Sequence, residues 1–143
     1  MNPQGSATND SIRQELDFPD DCLVQEFGYD DDVDFALRDA IEEITGEELL
    51  TEEDHEVVDV VLVWWRQGDG DLVDMLVDAQ ATLDEGGVVW LLTPKKGREL
   101  HVSATDVAES APTAGLHVTR TAGLSEDWSA TRLVGRRVGA ERK

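Results

Sequence analysis

The sequence predicts an α/β fold: a three-layer, mostly parallel five-stranded sheet with helices on both faces, closed by a C-terminal antiparallel strand pair. Two apolar runs, VVDVVLVWW (57–65) and VVWLLT (88–93), lack clean alternation and the first is rich in β-branched residues, as strands covered on both faces require. Segments of helical periodicity alternate with the strands, which is the pattern of right-handed parallel crossovers. The last two strands are joined only through GLSEDW (123–128), whereas a parallel crossover needs about a dozen residues, so these two pair antiparallel.

Residues 1–20 are polar and contain Pro3, Gly5 and Pro19, so they are expected as a disordered tail with one short helical turn around Ser11–Leu16. A single α/β domain is expected over 21–137, followed by a basic tail over 138–143. CLVQEF (22–27) reads as the first strand and GYDDDVD (28–34) as a turn into a helix. Val33, Leu37, Ala40, Ile41 and Ile44 recur at helical spacing there, and Gly46 suits the position beyond the helix end. TGEELLTEEDHE (45–56) is a connector, with a helical turn expected at Thr51 from its T-x-x-D pattern. After the first apolar run and the turn RQGDGD (66–71), a second helix is expected from Asp71 to Leu83, its inner stripe being Leu72, Leu76, Ala79 and Leu83. DEGG (84–87) closes that helix, VVWLLT forms a strand and PKKGRELHV (94–102) a loop. Ser103, with Asp106 three residues later, starts a third helix that ends before Pro112. LHVTRTA (116–122) and SATRLVGRR (129–137) are the closing strands.

Composition narrows the function classes. The chain has 143 residues, 40% of them apolar, with 32 acids against 12 bases and a formal charge of -20. That charge opposes binding nucleic acid through a broad basic surface. The longest apolar run is interrupted by Asp59 and is far short of the roughly 20 residues a membrane span needs, so no membrane association is expected. With no apolar leader and one unpaired cysteine, Cys22, a cytoplasmic location is expected. The acidity is uneven: residues 1–60 hold 20 acids and 2 bases, and the remainder 12 acids and 10 bases.

In an open parallel sheet, ligands bind beyond the carboxyl ends of the strands. The turns GYDDDVD, RQGDGD and TPKKGRELH should lie there. They place Gly28, Asp30, Asp31, Asp32, Asp34, Asp69 and Asp71 on one rim, opposite Lys95, Lys96, Arg98 and His101. A divalent cation is one reading, yet Asp30, Asp32 and Asp34 open an EF-hand pattern that fails at Phe35 and Ile41, where glycine and glutamate belong. An anion on the lysines is a second, without a phosphate-binding glycine motif to support it. Helix capping by aspartate is the third, although four aspartates within 30–34 exceed what one cap needs. Trp64, Trp65 and Trp90 read as core, Trp128 as half-exposed, and Cys22 as a small buried apolar group. His55, His101 and His117 show no ligand spacing. No catalytic residue, metal site or cofactor is assigned.

From Leu23 to Val134, the blocks VQEFGYDDDVDFALRDAIEEITGEEL, DVVLVWWRQGDGDLVDMLVDA, WLLTPKKGRE and APTAGLHVT resemble an uncharacterised actinobacterial domain-of-unknown-function family. Its pattern has a GYDDDVD turn, a DGDLVD turn, a WLLTPK strand end and an APTAGL helix exit, and it lends no reaction. The pattern has a glycine before His101 where this chain has Leu100, and a Pro-Ser-Asp where this chain has SATD. At the level of fold, the element order is similar to a truncated, methyltransferase-like Rossmann domain. GGVVWLLTP resembles its fifth strand, and AGLHVTRTA with DWSATRLVG its closing antiparallel pair. That resemblance implies a glycine-rich turn after strand one, of which only Gly28 is present, and leaves no room for the second and third strands. The expected function is a non-catalytic interaction or regulatory module, using the acidic rim to meet a basic protein partner or to self-associate. The alternative is a small-molecule sensor for a nucleotide or S-adenosylmethionine near Gly28 and Lys95.

Overall fold

The computed structural model describes residues 9–16, 18 and 22–135. Its elements run α1 (Asn9–Leu16), β1 (Val24–Phe27), α2 (Phe35–Thr45), β2 (Val58–Trp64), α3 (Leu72–Ala79), β3 (Leu83–Pro94), α4 (Ala104–Thr113), β4 (Leu116–Ala122) and β5 (Trp128–Gly135). The five strands form one sheet in the order β1-β2-β3-β5-β4. β1, β2 and β3 pair in parallel, and β5 inserts antiparallel between β3 and β4. The α/β class, the helices on both faces and the antiparallel closing pair all agree with the sequence expectation.

Strand alternation divides the core. Val60, Leu62, Trp64, Trp90 and Leu92 face α1 and α2. Val61, Val63, Val89, Leu91 and Leu133 face α3 and α4. Both faces are apolar because both are covered, which is why these strands show no polar alternation. Within the polar opening, Ile12 and Leu16 of α1 are buried against the first of these layers. The expected basic tail, 138–143, lies outside the described residues.

Three boundaries differ from the sequence reading. The second helix, α3, stops at Ala79 and does not reach Leu83. The Gln80 amide donates to Leu76 O (3.0 Å) and Ala114 O (2.8 Å), and Val58 N–H donates to Thr82 O (2.9 Å), drawing the chain into the sheet. β3 therefore starts at Leu83, and DEGG belongs to the strand's irregular opening. Helix α4 runs one residue past Pro112, closing in that same turn through Ala114 N–H to Ala111 O (3.1 Å) and Gly115 N–H to Pro112 O (3.0 Å). No helix forms at Thr51. Its N–H donates to Asp54 Oδ2 (2.7 Å) and its hydroxyl accepts from Glu53 N–H (3.2 Å), which fixes a turn.

One further pairing positions the site. Leu50 lies beside Gln25 as a one-residue parallel bridge on the outer flank of β1, through Glu26 N–H to Leu50 O and Leu50 N–H to Val24 O (both 2.9 Å). The chain leaving β1 thus crosses by α2 to one flank, whereas the chain leaving β2 crosses by α3 to the other. The boundary between β1 and β2 is the point where the connections diverge, and such points open a crevice at the carboxyl ends of the strands.

Candidate functional site

The crevice between β1 and β2 is occupied by the side chain of Arg66, which follows β2 and is 7% exposed. Its Nη1 donates to Gly28 O (2.9 Å) at the end of β1 and to Trp64 O (3.3 Å) at the end of β2. Its Nε and Nη2 hold Asp32 in a bidentate pair at 2.9 and 2.5 Å. Asp69 Oδ2 accepts from Arg66 N–H (3.0 Å) and lies 3.5 Å from Nη1. The guanidinium sits over the Trp128 ring, 5.3 Å from its centroid, and Trp128 meets Trp64 edge-on at 4.9 Å. Trp128, expected half-exposed, is therefore buried at 2%. A cation whose Nε, Nη1 and Nη2 each donate to a carbonyl or carboxylate, and which is stacked on a π face, tolerates removal from water.

Gly28 is required for this closure. Its φ is +80°, and a Cβ there would lie 2.2 Å from Trp64 O. Its N–H donates to Glu52 Oε2 (2.8 Å) and its carbonyl receives Arg66, so both of its polar groups are used within the chain. The glycine thus lets the end of β1 approach the Trp64 carbonyl closely.

The rim aspartates divide by duty. Asp34 caps α2, accepting from Leu37 N–H (3.0 Å), and also accepts from the Ser125 hydroxyl (2.6 Å). Asp71 caps α3, accepting from Val73 N–H (2.9 Å) and Asp74 N–H (3.4 Å). Asp32 and Asp69 belong to Arg66. The hydrogen bond from Arg66 holds the Asp32 carboxyl below the usual carboxylate range, and the same bond raises the Arg66 guanidinium further. Asp30 and Asp31 stand exposed on the turn outside these contacts, with Asp31 N–H donating to Asp30 Oδ1 (2.7 Å).

The basic side of the rim also separates. Arg98 pairs with Asp127 at 3.1 Å. His101 Nδ1 donates to Pro94 O (2.8 Å), while Lys95 and His101 line a groove on the α4 face, away from Arg66. Lys96 is exposed on the loop tip. Among the described residues, no cluster of three His, Cys, Asp or Glu side chains is arranged to hold a metal. No helix among them is long and apolar enough to cross a membrane.

The sequence reading did not single out Arg66, Glu26 or Arg38. Glu26, buried in β1, accepts from Trp64 Nε1 (2.8 Å) and from Arg38 Nε (2.7 Å) and Nη2 (2.9 Å). Arg38 in turn lies 4.7 Å from the Tyr29 ring centroid. A signal was present: in a chain so acidic, Arg66 is the sole lysine or arginine between Arg38 and Lys95, and it directly follows the apolar run 57–65.

A family model described as a protein of unknown function, DUF3052, matches residues 13–137. Uncharacterised proteins of Mycobacterium tuberculosis and Mycobacterium bovis are 56% identical over 114 residues, covering 80% of this chain and 72% of theirs. In fold, the chain is similar to a SAM-dependent methyltransferase from Aquifex aeolicus, with a TM-score of 0.62, 12% identity and 90% of each chain covered. It is also similar to a pyocyanin biosynthetic protein, with a TM-score of 0.61 and 16% identity, spanning 90% of this chain but only 54% of that one. At these identities the likeness is one of fold.

Proposed function

This chain belongs to the DUF3052 family of proteins of unknown function, and we propose that it is a non-catalytic interaction module on a methyltransferase-like scaffold, whose contact surface receives a basic protein partner. The observation that carries this reading is an exposed aromatic pair at the mouth of the closed crevice. Tyr29 and Phe35 are 49% and 46% exposed and meet edge-to-face, with centroids 6.0 Å apart at 77°. Arg38 braces Tyr29 from beneath, held by Glu26. Asp30 and Asp31 flank the pair on the turn, and Glu52 and Glu53 line the adjoining groove with Tyr29. Rigid aromatic anchors inside a charged rim are the usual composition of an interface centre, and the rim's sign selects a cationic partner. The filling of the β1–β2 crevice by Arg66 supports the non-catalytic part of the reading, because the chain's own guanidinium takes the place where such folds accept a ligand.

The test is cross-linking and affinity capture from the native host, with wild type compared against a Tyr29→Ala/Phe35→Ala pair and against Asp30→Lys/Asp31→Lys. All these positions are exposed, so folding is expected to be retained and is checked by circular dichroism. A basic protein retained by wild type and lost by both variants is the expected result. An unchanged set of captured proteins with both variants overturns the proposal.

A further inference from the structure

On the opposite face of the sheet from the aromatic pair, α4 and strands β4 and β5 enclose a groove of ≈ 470 Å³. We infer that this groove binds a small organic anion with an apolar body, and the inference is independent of the protein-partner reading. The first observation is the groove floor. Thr93 pairs across the sheet with Ser129, and Leu91 with Thr131, which in turn pairs with Thr121. Leu91 belongs to the layer facing α4, so by strand alternation Thr93, Thr131 and their cross-strand partners share that face. Thr93 and Thr131 are 3% and 8% exposed, and both line the groove. A threonine hydroxyl on a groove floor offers a ligand one donor and two acceptor sites.

The second observation is the shape. Helix α4 presents Ala104 and Ala108, one turn apart, toward the groove, and Val107 closes its base. Small residues on the helix and flat strand beneath leave a slot lined mainly by methyl groups, in the size range that small-molecule sites occupy. The third observation is charge. In a chain with 32 acids, none lines this groove, and its two ionisable residues are Lys95 and His101. Lys95 makes no ion pair among the described residues, whereas Arg98, three residues on, is neutralised by Asp127. His101 spends Nδ1 on Pro94 O, leaving Nε2 as its remaining polar atom. An ammonium at the mouth, hydroxyls on the floor and apolar walls between them fit a molecule with one anionic end, a hydrogen-bonding edge and an apolar body.

The experiment is an NMR titration of the full chain with benzoate, indole-3-acetate, 4-phenylbutyrate and decanoate, each beside its neutral amide, and with inorganic phosphate as the anion lacking a body. At least one carboxylate is expected to give saturable shifts confined to Thr93, Ala108, Ser129 and Thr131, and to bind about tenfold more tightly than its amide, as a charge-assisted contact implies. Lys95→Ala should reduce the acid to the affinity of the amide. Ala108→Trp, at an exposed helix position, should fill the slot and remove binding while the unfolding midpoint is unchanged. The inference is overturned if no carboxylate shifts these residues at millimolar concentration, if the amides bind equally well, or if phosphate alone gives the same shifts.

Discussion

Replacing Arg66 with methionine keeps most of the side chain's volume and removes its charge, so the loss isolates what the guanidinium does in the β1–β2 crevice. Two strand-end carbonyls, of Gly28 and Trp64, lose their donor, at about 1 kcal/mol each. The bidentate bond to Asp32 adds less than a buried pair would, about 0.5–1 kcal/mol, because Asp32 is 46% exposed and rehydrates when its partner leaves. The contact over Trp128 loses its cation–π component, about 0.5 kcal/mol. The expected destabilisation is about 3 kcal/mol, or about 10 °C in the unfolding midpoint for a domain of this size. Urea unfolding at neutral pH measures the first and scanning calorimetry the second. Asp32→Asn alone should cost about 1 kcal/mol, and the two changes together less than their sum, because they share one interaction. A change below about 0.5 kcal/mol in Arg66→Met would refute the view that this arginine closes the crevice.

Four further outcomes follow from the same structure. Gly28→Ala sets a methyl group 2.2 Å from Trp64 O at a φ of +80°, so it should lose about 3 kcal/mol or more and express chiefly as unfolded protein, as read by circular dichroism. Leu100 sits at φ 66° on an exposed loop, so Leu100→Gly should gain about 0.5–1 kcal/mol in urea unfolding by removing left-handed strain. Cys22 is buried beside Asp59, and burial first, then that carboxylate, push its thiol up to about 12, so a disulfide reagent at pH 8 should modify it only in denaturant. Asp32 has a folded pKa below its ordinary value of about 4, so its contribution is complete above that pH and is lost as pH falls through the depressed value. Urea midpoints between pH 5 and pH 3 should therefore fall more steeply, by about one ionisable group, for wild type than for Arg66→Met.

The sheet was legible because burial on both faces leaves a direct trace in residue type. The runs 57–65 and 88–93 had no other compact use, and the short link between the last strands dictated their antiparallel pairing. Cap residues were equally legible: Asp34, Asp71 and Ser103 cap helices where their local patterns place them. What local pattern does not carry is pairing across distance. Arg66 reaches Gly28 and Asp32 from more than thirty residues away, and nothing in RQGDGD alone says that its arginine turns inward. Trp128 was misjudged for the same reason, since its burial depends on Trp64 and Arg66 meeting it from another strand. The rim was read as one surface because its turns share a sheet edge. In the fold, caps and the arginine take four of its aspartates, and Lys95 and His101 turn to the α4 face.

The central claim is that the chain's own arginine fills the crevice where methyltransferase-like folds accept a ligand. Its most direct test is the 1H–15N spectrum of the Arg66 guanidinium, recorded while S-adenosylmethionine is added to the intact protein. Resolved, slowly exchanging Nε–H and Nη–H signals that do not move up to millimolar ligand are the predicted result. Signals averaged by solvent exchange in the free protein, or a saturable shift of Arg66 and Gly28 on addition of ligand, would contradict it.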